Sequence, residues 1–343
     1  IEEHPVAILF TNKGLVKRMP LGIFRSQLRG GRGVTGMSTR DEDYIEQILT
    51  TSTHDYLLMF TSKGKVHKIK AHQIPESSRL SKGVSLAHFL SLDEGETVTT
   101  AIPVKDFEAE NEYLFMTTQK GVVKKTEVSA FKHFKTRAII SINLDDGDTL
   151  KWVRKTDGNQ HVILTTTAGM IIRFEESLVR PMGRASRGVK GIKIKPEDSL
   201  ISMGLVDPED EKTFIVLLTS KGYGKNIKVD EFKAQGRGGI GVKALKFRKT
   251  VPGDKIMDGV IATRDDEVMI VTQKGIINRQ KITNISVQKR QSQGVRILKL
   301  DGDDIVIAMA KVLDESEFES ADVDVLPEEK PGETKAPEQP PLV

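Results

Sequence analysis

Short apolar runs alternate with glycine-containing turns along most of this 343-residue chain, and one such unit recurs six times. In each copy an apolar run with Thr near its end leads into a short turn closed by Gly. A second run of apolar and basic residues follows, as in "AILFTNKGLVKR" and "YLFMTTQKGVVKK". Because Val, Ile, Phe and Thr favour strands and Gly adopts positive φ at no steric cost, each copy predicts a β-hairpin. The turn glycines recur at intervals of 48 to 57 residues: Gly14, Gly64, Gly121, Gly169, Gly222 and Gly275.

An acidic turn follows each hairpin and opens a further apolar run. The last five copies read "LDEGETV", "LDDGDTL", "KPEDSLI", "VPGDKIM" and "LDGDDIV", and the first repeat has the looser "RDEDYIEQIL" at residue 40. Their spacing does not match an EF-hand calcium loop, so we interpret them as strand-entry turns. Each repeat therefore supplies about four strands. Six such units predict an all-β fold, a six-bladed β-propeller over residues 1–313.

The repeat pattern stops near residue 313, where the composition changes. Residues 314–343 are acidic and Pro-rich, with too little apolar content to fold alone, so we expect a disordered tail. The tail holds ten of the 48 acids and two of the 52 bases, which leaves 50 bases and 38 acids, a net charge of +12, in residues 1–313. A basic body with an acidic tail predicts a polyanion-binding surface and a segment that competes for it. The alternative is a solvated surface with a solubilising tail.

Several classes of protein are disfavoured by what the sequence lacks. It has no cysteine, no run of 18 apolar residues and no signal-peptide pattern, and it begins with Ile1 rather than Met. We therefore expect a cytoplasmic piece of a longer protein that has no membrane partner. The seven histidines show no metal-ligand pairing and no P-loop motif is present. We accordingly expect no metal site, no cofactor and no catalytic residue in the chain itself.

A Gly- and Arg-rich stretch occurs at one place in the repeat. "QLRGGRG" (residues 27–33) and "QGRGGIG" (235–241) each begin 13 residues after a turn glycine. The same offset gives "SSRLSKG" (77–83), "MGRASRG" (182–188) and "QKRQSQG" (288–294), whereas the third repeat reads "FKTRAII" (134–140). We call the five stretches the box loops. At offsets 15 and 19 from the turn glycine all five carry Arg and Gly respectively: Arg29, Arg79, Arg184, Arg237 and Arg290, then Gly33, Gly83, Gly188, Gly241 and Gly294.

One Arg per blade at a constant offset predicts a circumferential track of guanidinium groups. Such groups beside Gly-rich backbone suit successive phosphates of a wrapped duplex. The alternative is structural, with each Arg fastening its loop to the neighbouring blade through carbonyls or an Asp. The candidate DNA-binding residues are Gln27, Arg29, Gly30, Gly31, Arg32, Gly33, Arg79, Lys82, Arg184, Arg187, Gln235, Arg237, Gly238, Gly239, Gly241 and Arg290. Further candidate rim cations are Lys17, Arg18, Lys125, Lys132, Lys135, Arg137, Lys190, Lys243, Lys289 and Arg296.

Residues 27–33 resemble the seven-residue hallmark Gln-Arg-Arg-Gly-Gly-Lys-Gly of the carboxy-terminal domain of DNA gyrase A. Arg32 replaces the Lys with charge kept, Leu28 replaces an Arg, and the matching positions are Gln27, Arg29, Gly30, Gly31 and Gly33. In the fifth-repeat box loop, Gly236 and Ile240 replace two basic residues, so we expect weaker affinity there. The six repeats extend the resemblance over nearly all of residues 1–313.

The resemblance implies a β-pinwheel, a propeller whose blades exchange strands, that binds double-stranded DNA and bends it in a positive, right-handed wrap. It implies a monomeric domain of a bacterial, nucleoid-associated, ATP-dependent type II topoisomerase. Catalytic Tyr, ATP and Mg would belong to the rest of gyrase A and to its partner protein, gyrase B. The alternatives are the similar domain of topoisomerase IV, usually with fewer blades and degenerate boxes, and a propeller that binds protein or RNA. Six repeats and a nearly complete first box favour gyrase.

Two hypotheses concern the ends of the chain. The first box loop has two arginines around a Gly-Gly pair, so we expect it to anchor the far end of the wrap. Replacing Arg29 and Arg32 with Ala should then preserve moderate DNA affinity and abolish net bending. The acidic tail, with a net charge of −8, should occupy the basic rim and tune wrapping by competition.

Overall fold

The computed structural model describes residues 1–24, 45–78, 81–134 and 137–312. Within these ranges the chain forms five four-stranded antiparallel sheets and one three-stranded sheet, which we number as blades 1 to 6 after the repeat that supplies the hairpin. The prediction of a six-bladed β-propeller is confirmed. The strands are β1 (Pro5–Thr11), β2 (Leu15–Pro20), β3 (Ile45–Ser52), β4 (Tyr56–Thr61), β5 (Lys65–Lys70), β6 (Val84–Ser85), β7 (Val98–Val104), β8 (Tyr113–Thr118), β9 (Val122–Glu127), β10 (Ile139–Ile140), β11 (Leu150–Thr156), β12 (His161–Thr166), β13 (Met170–Glu175), β14 (Val189–Lys190), β15 (Leu200–Val206), β16 (Phe214–Thr219), β17 (Tyr223–Lys228), β18 (Val242–Lys243), β19 (Ile256–Ala262), β20 (Glu267–Thr272), β21 (Ile277–Lys281), β22 (Val295–Arg296) and β23 (Val306–Lys311).

The hairpins form as the sequence predicts. All six turn glycines have positive φ, from 75° at Gly14 to 91° at Gly222. In repeats two to six the acidic turn then leads into a strand that pairs with the first strand of its own hairpin, as β15 does with β12. In the fourth repeat, Asp198 Oδ1 accepts hydrogen bonds from the Thr167 hydroxyl (2.5 Å) and the Ala168 amide (3.0 Å), so the carboxylate fastens the turn to the hairpin. The interpretation as strand-entry turns is confirmed.

The outer edge of a blade comes from the next repeat. In blades 1 to 5 the second hairpin strand pairs with a two-residue strand of the next repeat, as β9 does with β14 and β13 with β18. This strand follows the offset-19 position in blades 1, 3, 4 and 5, whereas in blade 2 it lies at offsets 18 and 19. We call β6, β10, β14, β18 and β22 the exchanged strands. The inner edges are β3, β7, β11, β15, β19 and β23, and consecutive inner strands, such as β15 and β19, contact one another. Those parts of the box loops that the structure describes therefore lie at the outer edges of the blades, away from these inner strands.

The core lies between consecutive blades. Ile163 and Ile171 of blade 4, for example, pack with Ile215, Leu217 and Ile227 of blade 5, all at most 1% exposed. Burial of one such side chain stabilises the fold by roughly 1.5–3 kcal/mol. Since each blade hides one face against the next, stability depends on the stacking of neighbours around the ring.

Polar side chains also connect successive blades. The side chain of the residue at offset 4 from the turn glycine donates hydrogen bonds to carbonyls at a 3-10 turn of the following repeat. Arg18 Nε donates to the Ile74 carbonyl (2.7 Å), and Arg173 Nη1 donates to the carbonyls of Val229 and Phe232 (both 3.2 Å). The carbonyls at the end of a short helical turn lack helical partners, so a donor from the preceding blade satisfies them. Among the described residues the 3-10 turns are Ala71–Gln73, Leu86–His88, Val128–Phe131, Glu176–Leu178, Val229–Glu231 and Ile282–Asn284.

Across the described ranges, no helix has both the length and the apolar character needed to cross a bilayer.

Candidate nucleic-acid interface

Each box loop in the described ranges is an arch over the outer hairpin strand of the preceding blade. Its first residue donates a backbone hydrogen bond to the offset-4 carbonyl of that strand, as in Gln235 to Arg173 (2.8 Å) and Gln288 to Asn226 (2.9 Å). Its last residue leads directly into the exchanged strand on the same partner. The first and last residues of the loop thus both contact one strand, so the five residues between them bulge outward.

The glycine at offset 19 is required by this crossing. Gly188 and Gly241 have φ of 90° and 74°, and a Cβ there would lie 2.6 Å from the Val123 carbonyl oxygen and 2.4 Å from that of Ile171. Both the left-handed backbone and the contact exclude larger residues. By contrast, a Cβ on Gly236 would meet nothing within 4 Å, and one on Gly239 only the Ile172 Cδ1 at 3.9 Å. Strand exchange therefore explains the glycine at offset 19, whereas Gly236 and Gly239 leave open surface.

Two offset-15 arginines contact the neighbouring blade. Arg237 donates from Nε to the Leu178 carbonyl and from Nη1 to the Lys190 carbonyl, both at 3.1 Å, and its side chain stays exposed. Arg290 Nη1 lies 3.4 Å from the equivalent carbonyl of Lys243. These contacts are those of the structural alternative, in which Arg fastens the loop. Each guanidinium has five N–H donors, so two carbonyl bonds leave others for a ligand.

Other loop cations are paired with acids or open to solvent. Arg187 contacts Asp145 through Nε (2.5 Å) and Nη2 (3.0 Å), and this carboxylate raises the pKa of the guanidinium. Lys289 pairs with Glu231 at 2.5 Å, which raises the pKa of the ammonium. Lys82 and Gln235 are exposed, and Arg184 is half-buried. Exposed ion pairs of this kind are worth little, so a phosphate can replace the carboxylate partner.

The exchanged strands carry cations at one repeated position. Lys190, Lys243 and Arg296 end β14, β18 and β22, each 21 residues after a turn glycine, and all three are exposed. These strands form the outer edges of blades 3, 4 and 5. Together with Arg237 and Arg290 they place a row of positive charge along three consecutive blade edges.

The prediction of rim cations is wrong at three positions. Lys17, Arg18 and Lys125 are 0%, 9% and 4% exposed, respectively. Their polar groups bind inside the fold, as Lys125 does with Glu176 at 3.6 Å. These residues lie on the hairpin strand that the next repeat covers, and this cover removes them from the surface.

Two buried lysines at the interface were not predicted from the sequence. Lys124 and Lys225 are 0% exposed, and each points into the arch of a box loop. Burial lowers the pKa of both ammonium groups to about 8, and nearby Arg184 lowers that of Lys124 further. Their signal in the sequence is a Lys at offset 3, which recurs in repeats one, three and five.

Eight candidate residues lie outside the described ranges and stay predictions: Gln27, Arg29, Gly30, Gly31, Arg32, Gly33, Arg79 and Lys135.

Comparison with known proteins gives consistent matches. A family described as "DNA gyrase C-terminal domain, beta-propeller" matches six segments: residues 7–52, 55–105, 112–157, 160–207, 213–261 and 266–312. DNA gyrase A of Staphylococcus epidermidis is 39% identical over 317 residues, covering 92% of this chain and 35% of that protein. DNA gyrase A of Staphylococcus aureus strain NCTC 8325 is 37% identical over 320 residues, 93% of this chain and 36% of that protein. The chain thus spans about a third of the length of these relatives.

Two solved structures share the fold. The C-terminal domain of a DNA topoisomerase IV superposes with a TM-score of 0.80 at 31% identity, covering 91% of this chain and 94% of that one. A DNA gyrase A C-terminal domain superposes with a TM-score of 0.68 at 26% identity, covering 90% of this chain and all of that one. The repeat boundaries in the sequence and the blades in space therefore agree with one family.

Proposed function

Because the chain belongs to the DNA gyrase C-terminal domain family, we propose that it binds duplex DNA along its outer blade edges and wraps it in a positive, right-handed sense. The observation that supports this most is the repeated cation of the exchanged strands, Lys190, Lys243 and Arg296, exposed on three consecutive edges. Backbone phosphates recur along a duplex without regard to sequence, so a repeated cation suits them.

Because the cationic row is curved, binding of the duplex is coupled to its bending. Each further phosphate contact requires the duplex to follow the next blade, so contact energy offsets the elastic cost. Bending a site of 20–30 base pairs through 40–90° costs roughly 1–6 kcal/mol. Each neutralised phosphate releases counterions, so log affinity falls with log salt concentration by about 0.9 per contact.

In the whole protein we propose that the wrap feeds a neighbouring duplex segment to the strand-passage gate of a bacterial type II topoisomerase. The rest of gyrase A, together with gyrase B, would supply the catalytic Tyr and the ATP- and Mg-dependent steps. The direction of the wrap on this chain would set the sign of the crossing between the two duplex segments. The protein would act at the chromosome in the cytoplasm.

A topology assay tests the proposal. Closed circular plasmid is relaxed by a nicking-closing enzyme in the presence of this chain, the protein is removed, and linking number is read on a gel. We expect a positive change that grows with protein concentration and disappears at high salt. Binding without a change in linking number would reject wrapping, and absence of duplex binding at low salt would reject the whole proposal.

The second candidate is a topoisomerase IV role, which the TM-score of 0.80 to such a domain favours. A domain of that role with degenerate boxes would bind duplex and leave linking number nearly unchanged. The same assay therefore separates the two candidates.

A further inference from the structure

Three lysines at offset 3 occupy the interiors of three box-loop arches. Lys225 Nζ donates to the carbonyls of Lys289 (2.7 Å), Arg290 (2.9 Å) and Ser292 (3.0 Å). Lys124 Nζ donates to the carbonyls of Arg184 (2.5 Å) and Ser186 (3.2 Å), and to that of Ser141 (2.6 Å). Lys17 Nζ lies farther from its loop, 3.4 Å from the Ser78 carbonyl and 3.3 Å from that of Ser81.

The position beneath the arch is a consequence of the strand crossing. The ends of each arch contact offsets 2 and 4 of the outer hairpin strand, so the offset-3 side chain projects between them. An ammonium group has three N–H donors and no acceptor, which suits an arch whose carbonyls turn inward. In the fourth repeat the same position is Ile172, which lies under the Gly-rich loop 235–241. The fold therefore does not require Lys at offset 3, and only some of the blades carry it there.

The charges of Lys124 and Lys225 are not neutralised by a nearby acid. Within the described residues, no carboxylate lies within ion-pair distance of Lys124 or Lys225, and their acceptors are neutral: backbone carbonyls and, for Lys225, also the Ser292 hydroxyl (3.1 Å). Burying an ammonium group without an ion-pair partner costs free energy of folding, and a contribution to DNA binding would account for its presence. Its field is screened weakly by the thin loop above it and extends to the outer edge, where the proposed phosphates run.

We infer that Lys124 and Lys225 are positioning residues of the DNA-binding edge. Each holds the carbonyls of a box loop inward, fixes the loop in its binding shape, and adds a buried positive charge beneath the phosphate path. The inference rests on the proposed function and deepens it, because it assigns part of the DNA affinity to groups that DNA never touches.

The buried ammonium groups predict a pH dependence of binding. The loop over Lys225 carries Arg290 and Lys289, which pairs with Glu231, and the loop over Lys124 carries Arg184 and Arg187, which pairs with Asp145. The ordinary pKa values of arginine and carboxylate groups lie outside the range from pH 7 to 9. Pairing with Glu231 raises the pKa of Lys289, and pairing with Lys289 lowers that of Glu231. The two buried lysines, whose pKa is about 8, lose charge in this range. Affinity for duplex should therefore fall as pH rises from 7 to 9.

The variants Lys225→Met and Lys124→Met retain length and remove charge. Lys228→Met is the matched control, since Lys228 is exposed at the end of the same strand, β17, as Lys225. Affinity for a fluorescent 40-base-pair duplex is measured at pH 7 and 9 at fixed salt, with circular dichroism and thermal unfolding as checks of the fold. We expect Lys225→Met to lose at least fivefold in affinity at pH 7, Lys228→Met less than twofold, and the double variant Lys124→Met/Lys225→Met to lose most of the pH dependence.

The outcomes separate this inference from the proposed function. If wild type binds and wraps DNA but folded Lys225→Met binds like Lys228→Met, the inference is wrong and the function stands. If the buried variants do not fold, the wild-type pH profile decides, since equal affinity at pH 7 and 9 overturns the inference and a fall supports it. A wild-type chain that does not bind duplex at all removes both.

Discussion

At the scale of single residues, the inner strands contain ionisable groups that the function does not use. Asp258 lies on β19, where its Oδ1 accepts from the Gly259 amide (2.8 Å), and burial raises the pKa of its carboxyl to about 7. It lines a cavity of about 200 Å³ together with Glu46, whose pKa burial also raises. Asp258 is half-buried, whereas Glu46 is exposed at the cavity mouth, so the loss of hydration falls mainly on the Asp258 carboxyl.

Asp258 predicts that stability falls as pH rises from acid to neutral. Its folded pKa of about 7 exceeds the ordinary value of 3.8, so the folded state binds the proton more tightly than the unfolded state. The resulting stability is complete below pH 3.8 and is lost as pH approaches 7. Asp258→Asn should therefore raise the free energy of unfolding at pH 8 by roughly 1–3 kcal/mol relative to wild type, allowing for partial hydration, and by little at pH 4.

Urea unfolding at pH 4, 6 and 8 measures this effect. The exposed Glu209→Gln serves as a control for the loss of one negative charge. A constant difference between wild type and Asp258→Asn at all three pH values would contradict a raised carboxyl pKa.

At the scale of elements, strand exchange determines which residue the box loops can carry at offset 19. Gly241 in the fifth-repeat loop must cross the Ile171 carbonyl with φ of 74°. Gly241→Ala should destabilise the fold by roughly 2–4 kcal/mol, because the left-handed backbone alone costs about 1–2 kcal/mol and the carbonyl must also move.

Gly236→Ala in the same loop is the matched control. A Cβ there meets nothing within 4 Å, so Ala should leave stability unchanged or raise it slightly by restricting the unfolded chain. Thermal unfolding of both variants gives the comparison. Equal melting temperatures would mean that the exchanged strand does not constrain Gly241.

The elements were predictable from the sequence to the extent that their determinants are local. Turn glycines and acidic turns specify hairpins through backbone geometry, and the repeat interval fixes the number of blades. The partner of each exchanged strand lies about one repeat away, and no local pattern encodes it. For this reason Lys17, Arg18 and Lys125 were mistaken for surface cations, although they lie under the next repeat. Lys124 and Lys225 were missed for the same reason.

At the scale of the whole molecule, the exposed cations and the acidic tail are attached to different parts of the ring. The exposed Lys190, Lys243 and Arg296 lie on outer edges, whereas β23, after which the acidic residues 314–343 follow, is an inner strand. The tail lies outside the described residues, and its competition with DNA stays a prediction. A 30-residue coil has a root-mean-square span of about 30 Å, and three strands of a blade occupy only about 10–15 Å. Distance therefore does not prevent the tail from reaching the rim.

Deletion of residues 314–343 should tighten binding to linear duplex roughly tenfold at low salt, equivalent to about 1.4 kcal/mol. The reason is that a net charge of −8 would no longer screen the basic edge. The gain should shrink at 0.3 M salt, because the Debye length falls from about 30 Å at 0.01 M to below about 8 Å above physiological salt. A tail of equal length with its ten acids replaced by Asn and Gln is the control, and it should bind like the deletion. If the chain with the neutral tail instead binds DNA like wild type, the tail acts by its bulk and not by its charge. If the deletion itself leaves the affinity unchanged, the tail does not compete with DNA for the rim.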